Sequence, residues 1–293
     1  MYKDLLAESA AAAKTLLCIG LDPVLKHLPA ELQGMGPAGI PVFFEIIFRE
    51  MQERGLKAAA FKPNQGFYLI HDRPFEGRFD GSLALARTIE LVRSYFPGIP
   101  LILDFKRGDI AGSSANYAEE GFDQWKADAV TVSPYMGADS VGPFLDHPKK
   151  GGTYILNRTS NPGSADLQAS ELACGHRLFQ KTAKKILAWA DGRPGTGAVV
   201  GATSLEELSL LAGIYAESAL PLLIPGVGSQ GGSAEEVCSV LKDAGYPLPM
   251  ARINSSSGIT HPWAKKKEAV PADWNHRVCD EIEKLNSAME AFL

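Results

Sequence analysis

The feature that most constrains this chain is an alternation: eight short apolar runs of strand length, separated by longer segments with helical periodicity. The runs cover residues 15–21, 57–62, 100–105, 127–132, 153–157, 196–202, 221–225 and 248–254. They are apolar throughout rather than at alternate positions, as strands covered on both faces must be. Between them, Val42-Phe43-Phe44-Glu-Ile46-Ile47-Phe48 running on to Met51, then segments 83–95 and 204–215, repeat apolar residues at helical spacing. Ser233 with Glu236 three residues on has the pattern of a capping box. Strand then helix, eight times over, predicts a single (β/α)₈ TIM barrel, since parallel neighbours need crossover helices of one hand. An open doubly wound sheet is the competing topology. No Pro/Gly/Ser linker divides the 293 residues, so one domain over 1–293 is expected, closed by helices at about 263–293.

Composition removes several function classes. With 29 Lys+Arg against 34 Asp+Glu the net charge is −5, and no basic stripe offers a footprint for nucleic acid. Local basic groups can still bind small anions inside an acidic protein. No apolar stretch approaches the ~18 residues of a membrane-spanning helix. Residues 1–9 carry acids and lack the progression of a secretory signal. Cys18, Cys174, Cys238 and Cys279 are scattered, with no Cys-x-x-Cys and no His at ligand spacing. The expectation is a cytoplasmic protein without disulfides, metal, membrane or nucleic-acid partner. The six histidines, 27, 71, 147, 176, 261 and 276, form no pair at metal spacing and read as surface residues.

In a barrel of this kind, chemistry sits where strands end and the following loops begin. Polar and special residues cluster at those ends: Asp22 after the first run, Lys62-Pro63-Asn64 after the second, and Asp104-Phe105-Lys106 at the third. Ser133-Pro134-Tyr135, Asn157-Arg158-Thr159-Ser160 and the loop 226–232 follow later runs. Side chains two apart on a strand share a face, so Asp104 and Lys106 are expected to project together into the mouth. A strand-end salt bridge is the bland reading of any Asp-x-Lys. Here it follows a buried strand, where charge is costly unless paired. Lys62, Asp104, Lys106 and Asp109 are the expected set, an alternating lattice that keeps every member ionised. The glycines of 226–232, running into the capped helix at Ser233, suit an anion held by converging backbone N–H groups, although a plain flexible turn has the same composition. The loop lacks the Gly-Lys-Ser/Thr of a nucleotide P-loop. Asp22 fits either a turn cap or an acceptor for sugar hydroxyls. Segment 159–163 is rich in turn formers and by itself reads as a loop.

Asp104-x-Lys106-x-x-Asp109-Ile110, with upstream Lys62 and Gly226-Val-Gly-Ser-Gln230-Gly-Gly, resembles the orotidine 5′-phosphate decarboxylase family. Lys106-Arg-Gly-Asp-Ile, Ser133-Pro-Tyr-Met-Gly137 and Arg158-Thr-Ser-Asn-Pro-Gly-Ser164 are similar to its second (type 2) bacterial subgroup. The resemblance runs from Asp22 to the end of the eighth strand. It implies a homodimeric barrel that turns orotidine 5′-monophosphate (OMP) into UMP and CO₂, the last step of de novo pyrimidine synthesis, with no metal and no organic cofactor. It further implies that Lys106 donates the proton to C6, Asp104 faces the substrate carboxylate and Lys62 orients the lattice. Asp109, with Ser113, would serve the neighbouring subunit's site. Asp22 and Asn64 would lie near the ribose. Ser160, with Thr159, would hydrogen-bond the pyrimidine amide, while Gln230, beside Pro225 and Gly228, would bridge base and phosphate.

One departure stands out. Where the family commonly carries a phosphate-gripping Arg after strand 8, this chain reads Asn254-Ser255-Ser256-Ser257-Gly258, with Ser257 in that place. Arg252 is the nearest substitute, or else a structural group within the strand. Two rival functions remain. A related sugar-phosphate decarboxylase or synthase barrel shares Asp-x-Lys-x-x-Asp but needs magnesium and an acid near Lys62. A non-catalytic nucleotide-binding paralogue is the other, suggested by the missing Arg.

Overall fold

The computed structural model describes residues 1–227 and 232–293. Its centre is eight parallel strands: β1 (Leu17–Leu21), β2 (Ala60–Pro63), β3 (Ile102–Arg107), β4 (Ala129–Val132), β5 (Gly152–Arg158), β6 (Thr196–Val200), β7 (Leu222–Pro225) and β8 (Ala251–Ser255). Hydrogen bonding runs in the order β2-β1-β8-β7-β6-β5-β4-β3. Two parallel bridges, Phe61 with Leu101 and Asn64 with Asp104, join β2 to β3 and close the ring. The fold is therefore the (β/α)₈ barrel, not the open sheet. Each expected run overlaps one strand, with β2, β3, β5 and β8 reaching past its bounds, and the eighth starts late. Leu248–Met250 forms a 3₁₀ turn, consistent with Pro249, which has no N–H for a ladder.

The outer helices bury one face each. In Gly39–Glu53 that face is Phe43, Phe44, Ile47, Phe48 and Met51, the i, i+3, i+4 pattern that points a helix at a sheet. Phe48 meets Phe61 of β2 edge-on at 5.4 Å, and Phe43 stacks on Trp274 at 4.9 Å. Trp274 opens the final helix, Trp274–Glu290, which follows the short helix Pro262–Lys265. Among the described residues no helix is long and apolar enough to cross a membrane.

The N-terminal helix Tyr2–Ala13 covers the end of the barrel where the strands begin. There Tyr2 Oη donates to Tyr154 Oη at 3.0 Å. Arg252, on β8, points to this end and is completely buried. Its guanidinium donates to Leu6 O at 2.5 Å, Ser9 Oγ at 2.7 Å, Ala59 O at 3.1 Å, Pro249 O at 3.0 Å and Ala251 O at 2.7 Å. No carboxylate is among these partners; four carbonyl dipoles and one hydroxyl hold the charge, and burial lowers its pKa. Arg252 thus pins the N-terminal helix under the barrel and is at the wrong end to replace a phosphate-binding Arg.

His261 is not the surface residue expected of it, being 1% exposed. Its ring stacks on Phe43, and its Nε2 accepts the Val24 N–H at 3.2 Å. Burial, with His27 nearby, drives its pKa down to about 3, so it is a neutral anchor for the loop after β1.

Replacing Arg252 by Met leaves several buried carbonyls without donors, each a loss of about 1–3 kcal/mol before relaxation. Arg252→Met is therefore expected to lower unfolding free energy by about 3 kcal/mol or more, measured as a drop in the urea midpoint. A midpoint unchanged within error would show that the helix is held by other contacts.

Candidate active site

A cavity of about 550 Å³ opens where the strands end, lined by residues of all eight strands or the loops that follow them. Its charged floor comes from two strands. Lys62, the third residue of β2, is 4% exposed and Asp104, on β3, is 6% exposed. Lys62 Nζ lies 3.0 Å from Asp104 Oδ2. Lys106 Nζ lies 2.7 and 2.8 Å from Asp104 Oδ1 and Oδ2. One carboxylate thus sits between two ammoniums.

The route by which Lys106 reaches Asp104 is not the regular alternation expected from sequence. Pairing of β3 with β4 jumps from Leu103–Val130 to Arg107–Val132, so four steps along β3 match two along β4. Within this bulge Lys106 has φ 45°, in the left-handed region. Such a conformation costs a non-glycine residue of order 1–3 kcal/mol and persists only where surroundings enforce it. Thr131 of β4 is the enforcing group. Its Oγ1 accepts the Lys106 N–H at 3.0 Å and donates to Asp104 Oδ1 at 2.7 Å. Sequence reading passed over Thr131. The available signal was a lone hydroxyl in the buried run Ala129-Val130-Thr131-Val132.

Burial by itself would raise the Asp104 carboxyl, but the Lys62 and Lys106 charges and the Lys106 and Thr131 hydrogen bonds hold it well below the usual carboxylate range. Burial would likewise depress Lys62. The Asp104 and Asp22 carboxylates reverse this and push its pKa above the ordinary lysine value. Both groups stay ionised through the neutral range.

The remaining expected residues fall into three groups. Asp22, Thr159, Ser160, Pro225 and Ser257 line the same cavity. Asp22 Oδ1 accepts the Asn64 N–H at 3.1 Å, which fixes the first two loops against each other. Ser257 is exposed at the rim, opening the short helix Ser257–Thr260. Asn64 faces a neighbouring cleft, and its Oδ1 caps the Gly66 N–H at 3.1 Å. Asp109 is not brought to the lattice within the chain: it is half-buried outside the cavity, its Oδ1 taking the Ile110 N–H at 2.7 Å. Ser113 is half-buried near the start of helix Ala111–Glu119, also away from the cavity. Gly228 and Gln230 lie outside the described residues, as does most of the loop 226–232. Its neck is described: Val227 bridges Gly232, and Ser233 Oγ accepts the Glu236 N–H at 3.4 Å.

Two glycines make room for these loops. A Cβ on Gly20 of β1 would lie 1.8 Å from Ser256 Oγ, and one on Gly201 would lie 2.9 Å from the Ser160 backbone. Arg107, between Lys106 and Asp109, turns outward instead. It stacks over Tyr117 at 4.5 Å and pairs with Glu120 at 2.9 Å.

Lys62 and Lys106 are the only Lys or Arg side chains among the described lining residues, and both are at the strand 2–3 side. Opposite them the wall is Pro225, Gly226, Val227, Ser256 and Ser257. Among the described residues no group of three or more His, Cys, Asp or Glu is placed to hold a metal ion. Chemically, the cavity offers one anion-stabilising end with a proton-bearing ammonium, and one hydroxyl-rich end.

Comparison with known proteins places this geometry in context. Residues 15–246 match the profile of the family described as "Orotidine 5'-phosphate decarboxylase / HUMPS family". The orotidine 5′-phosphate decarboxylase of Herpetosiphon aurantiacus is 41% identical over 270 residues, covering 92% of this chain and 95% of that one. The protein of the same name from Thermomicrobium roseum is 36% identical over 286 residues, covering 97% and 95%. A crystal structure of a putative orotidine-monophosphate-decarboxylase from Toxoplasma gondii superposes with a TM-score of 0.79 at 28% identity, covering 99% and 97%.

The depressed Asp104 carboxyl gives a sign-definite test. Its stabilisation is complete above the unfolded-state pKa of about 3.9 and is lost as pH falls through the lower, folded value. Thr131→Val removes one hydrogen bond that lowers that value. It is expected to raise the Asp104 titration and move the acid-unfolding midpoint upward, read by NMR of the carboxyl carbon and by circular dichroism. Identical titrations in both proteins would show that Thr131 does not hold the carboxylate.

Proposed function

The chain belongs to the orotidine 5′-phosphate decarboxylase family and is a carboxy-lyase that converts OMP to UMP in pyrimidine synthesis; we propose that it does so through Lys62, Asp104 and Lys106. The observation that carries this assignment of roles is the buried carboxylate held between two ammoniums at the cavity floor.

Loss of CO₂ from C6 leaves an electron pair in the ring plane, with no conjugated sink. Catalysis must come from charge already in position where that pair develops, with stabilisation greater in the transition state than in the ground state. The C6–carboxyl bond breaks, its electrons stay on C6, and Lys106 Nζ delivers a proton there, to be replaced from solvent. An ammonium about 4 Å from the developing charge, at an effective dielectric near 20, supplies about 4 kcal/mol, roughly three powers of ten in rate. The remainder must come from the other fixed charges and from exclusion of water. Asp104, anchored by Thr131, faces the departing carboxylate and keeps the buried Lys62 charged. Lys62 holds Asp104 from behind.

Asp22 and Asn64 are assigned to the ribose side, and Ser160 with Thr159 to the pyrimidine amide. Pro225, Gly228, Gln230 and Ser257 take the phosphate side. Asp109 and Ser113, turned away from their own cavity, are assigned to the site of a second copy in a homodimer. We read the chain as one type 2 barrel domain, cytoplasmic and needing no cofactor. A magnesium-dependent sugar-phosphate barrel fits poorly, because an ammonium occupies the place of the required acid and both Asp104 oxygens are engaged by lysines.

The deciding assay is ultraviolet-monitored loss of OMP by chelator-treated protein. Full turnover is expected, and Lys106→Ala should reduce it by several powers of ten while UMP still binds. Activity surviving within tenfold would remove Lys106 from the proton-donor role. Mixing Lys106→Ala with Asp109→Ala chains should restore some activity through hybrid sites. No recovery despite demonstrated subunit exchange would mean that each chain builds its own site.

The phosphate end supplies a separate test. A hydroxyl cannot reproduce a bidentate guanidinium–phosphate contact, so Ser257→Arg is expected to lower KM for OMP several-fold with little change in kcat. An unchanged or raised KM would show that position 257 does not face the phosphate.

A further inference from the structure

We propose that Gln168, a residue to which no role has yet been given, is a positioning residue for recognition of the pyrimidine ring; this deepens the reading above and rests on it. Gln168 lies in the loop after β5 and lines the cavity beside Thr159 and Ser160. Its carboxamide clamps Thr159 from both sides of the residue. Oε1 accepts the Thr159 N–H at 2.8 Å, while Nε2 donates to Thr159 Oγ1 at 2.9 Å.

The hydroxyl of Thr159 is thereby engaged as both donor and acceptor. It accepts from Gln168 and gives its own proton to Asn161 Oδ1 at 2.7 Å. Ser160, by contrast, makes no side-chain hydrogen bond to any described residue, and its backbone is pressed over Gly201. Within the pair assigned to the pyrimidine amide, Thr159 is therefore the strut and Ser160 the hydroxyl left free to make the contact. A uracil-type ring presents an N–H donor flanked by carbonyl acceptors, which a hydroxyl that both donates and accepts can match. The match depends on where the Ser160 backbone sits, and that is set one residue upstream by Gln168.

Gln168 is itself held by the main chain. Its N–H donates to Ser164 O at 2.9 Å, and its carbonyl accepts the Phe179 N–H at 2.9 Å, at the start of helix Leu178–Ala190. Arg158, the last residue of β5, donates to Ser164 Oγ and pairs with Glu207 at 2.7 Å. The whole loop is thus braced from the scaffold to the reading group. With Leu156, Gln168 also separates the cavity from a second groove between helix Leu178–Ala190 and segment 133–138.

The test compares a ligand that carries the base with one that lacks it. In Gln168→Ala, the Kd for UMP is expected to weaken at least tenfold, and that for ribose 5-phosphate to stay within twofold. Gln168→Glu keeps the acceptor for the Thr159 N–H but loses the donor to its hydroxyl, so it should recover part of the UMP affinity. If the alanine variant does not fold, the glutamate variant carries the same comparison, with a smaller but still base-selective loss. Equal weakening of both ligands, or no weakening of either, would overturn the positioning role. Failure of the unaltered protein to bind UMP would instead overturn the functional reading on which this rests.

Discussion

The site depends on a buried carboxylate that two ammoniums keep ionised. An isolated charge in this position would be costly, and a protein usually avoids the cost by neutralising the group. Here Asp104 cannot readily take a proton, because two cations and a hydroxyl donor favour its charged form. Lys62 cannot readily lose one, because Asp104 and Asp22 favour its charged form. Each charge is the reason the next survives burial. The result is a fixed field at the mouth of the barrel that needs no reorganisation when a ligand arrives.

Holding that field requires a departure from ideal strand geometry. An ordinary strand would have carried Lys106 onward with the ladder. The bulge and positive φ at Lys106 let its side chain fold back over Asp104, and Thr131 ties the bent backbone and the carboxylate to the same oxygen. Local strain at Lys106 is thus carried by the closed ring around it, whose inner layers are packed and whose lower end is sealed by Arg252 and the N-terminal helix. The rigid end of the barrel holds the strained end in place.

This division explains what could be read from sequence. All eight strands and the barrel were legible because unbroken apolar runs have few other uses in a chain of this length. Lys62, Asp104 and Lys106 were legible because charge at the end of a buried strand demands partners. The reason offered for Asp104 meeting Lys106 was regular alternation, and the structure reaches the same pairing through a bulge that no residue type announces. Arg252, open between a phosphate-side substitute and a structural group within the strand, is the latter, held by carbonyls and the Ser9 hydroxyl. His261 shows the opposite failure: its polarity suggested the surface, yet it is buried against a backbone amide and an aromatic stack. Long-range partners such as Leu6 and Ala59 for Arg252 leave no local trace. Thr159 and Gln168 belong to the same class, since a loop of turn-forming residues does not disclose which hydroxyl is already spent.

The uneven charge of the cavity also bears on ligand orientation. All formal positive charge among the described lining residues is at the floor, which at first suggests that a dianionic phosphate should go there. Asp104 argues against that. Repulsion by this carboxylate and attraction by the lysines both scale with ligand charge, so Asp104 cancels part of the floor's pull on a dianion. Both Asp104 oxygens already engage the two ammoniums, which lessens what those lysines can offer a second anion. The opposite wall offers hydroxyls, the narrow neck at Val227 and Gly232, and beyond it the capped start of a helix, whose partial positive charge suits a phosphate without competing for the lysines. On the proposed assignment, the position of Asp104 sets the expected orientation of a nucleotide, its carboxylate-bearing ring at the charged floor and its phosphate at the hydroxyl-lined wall.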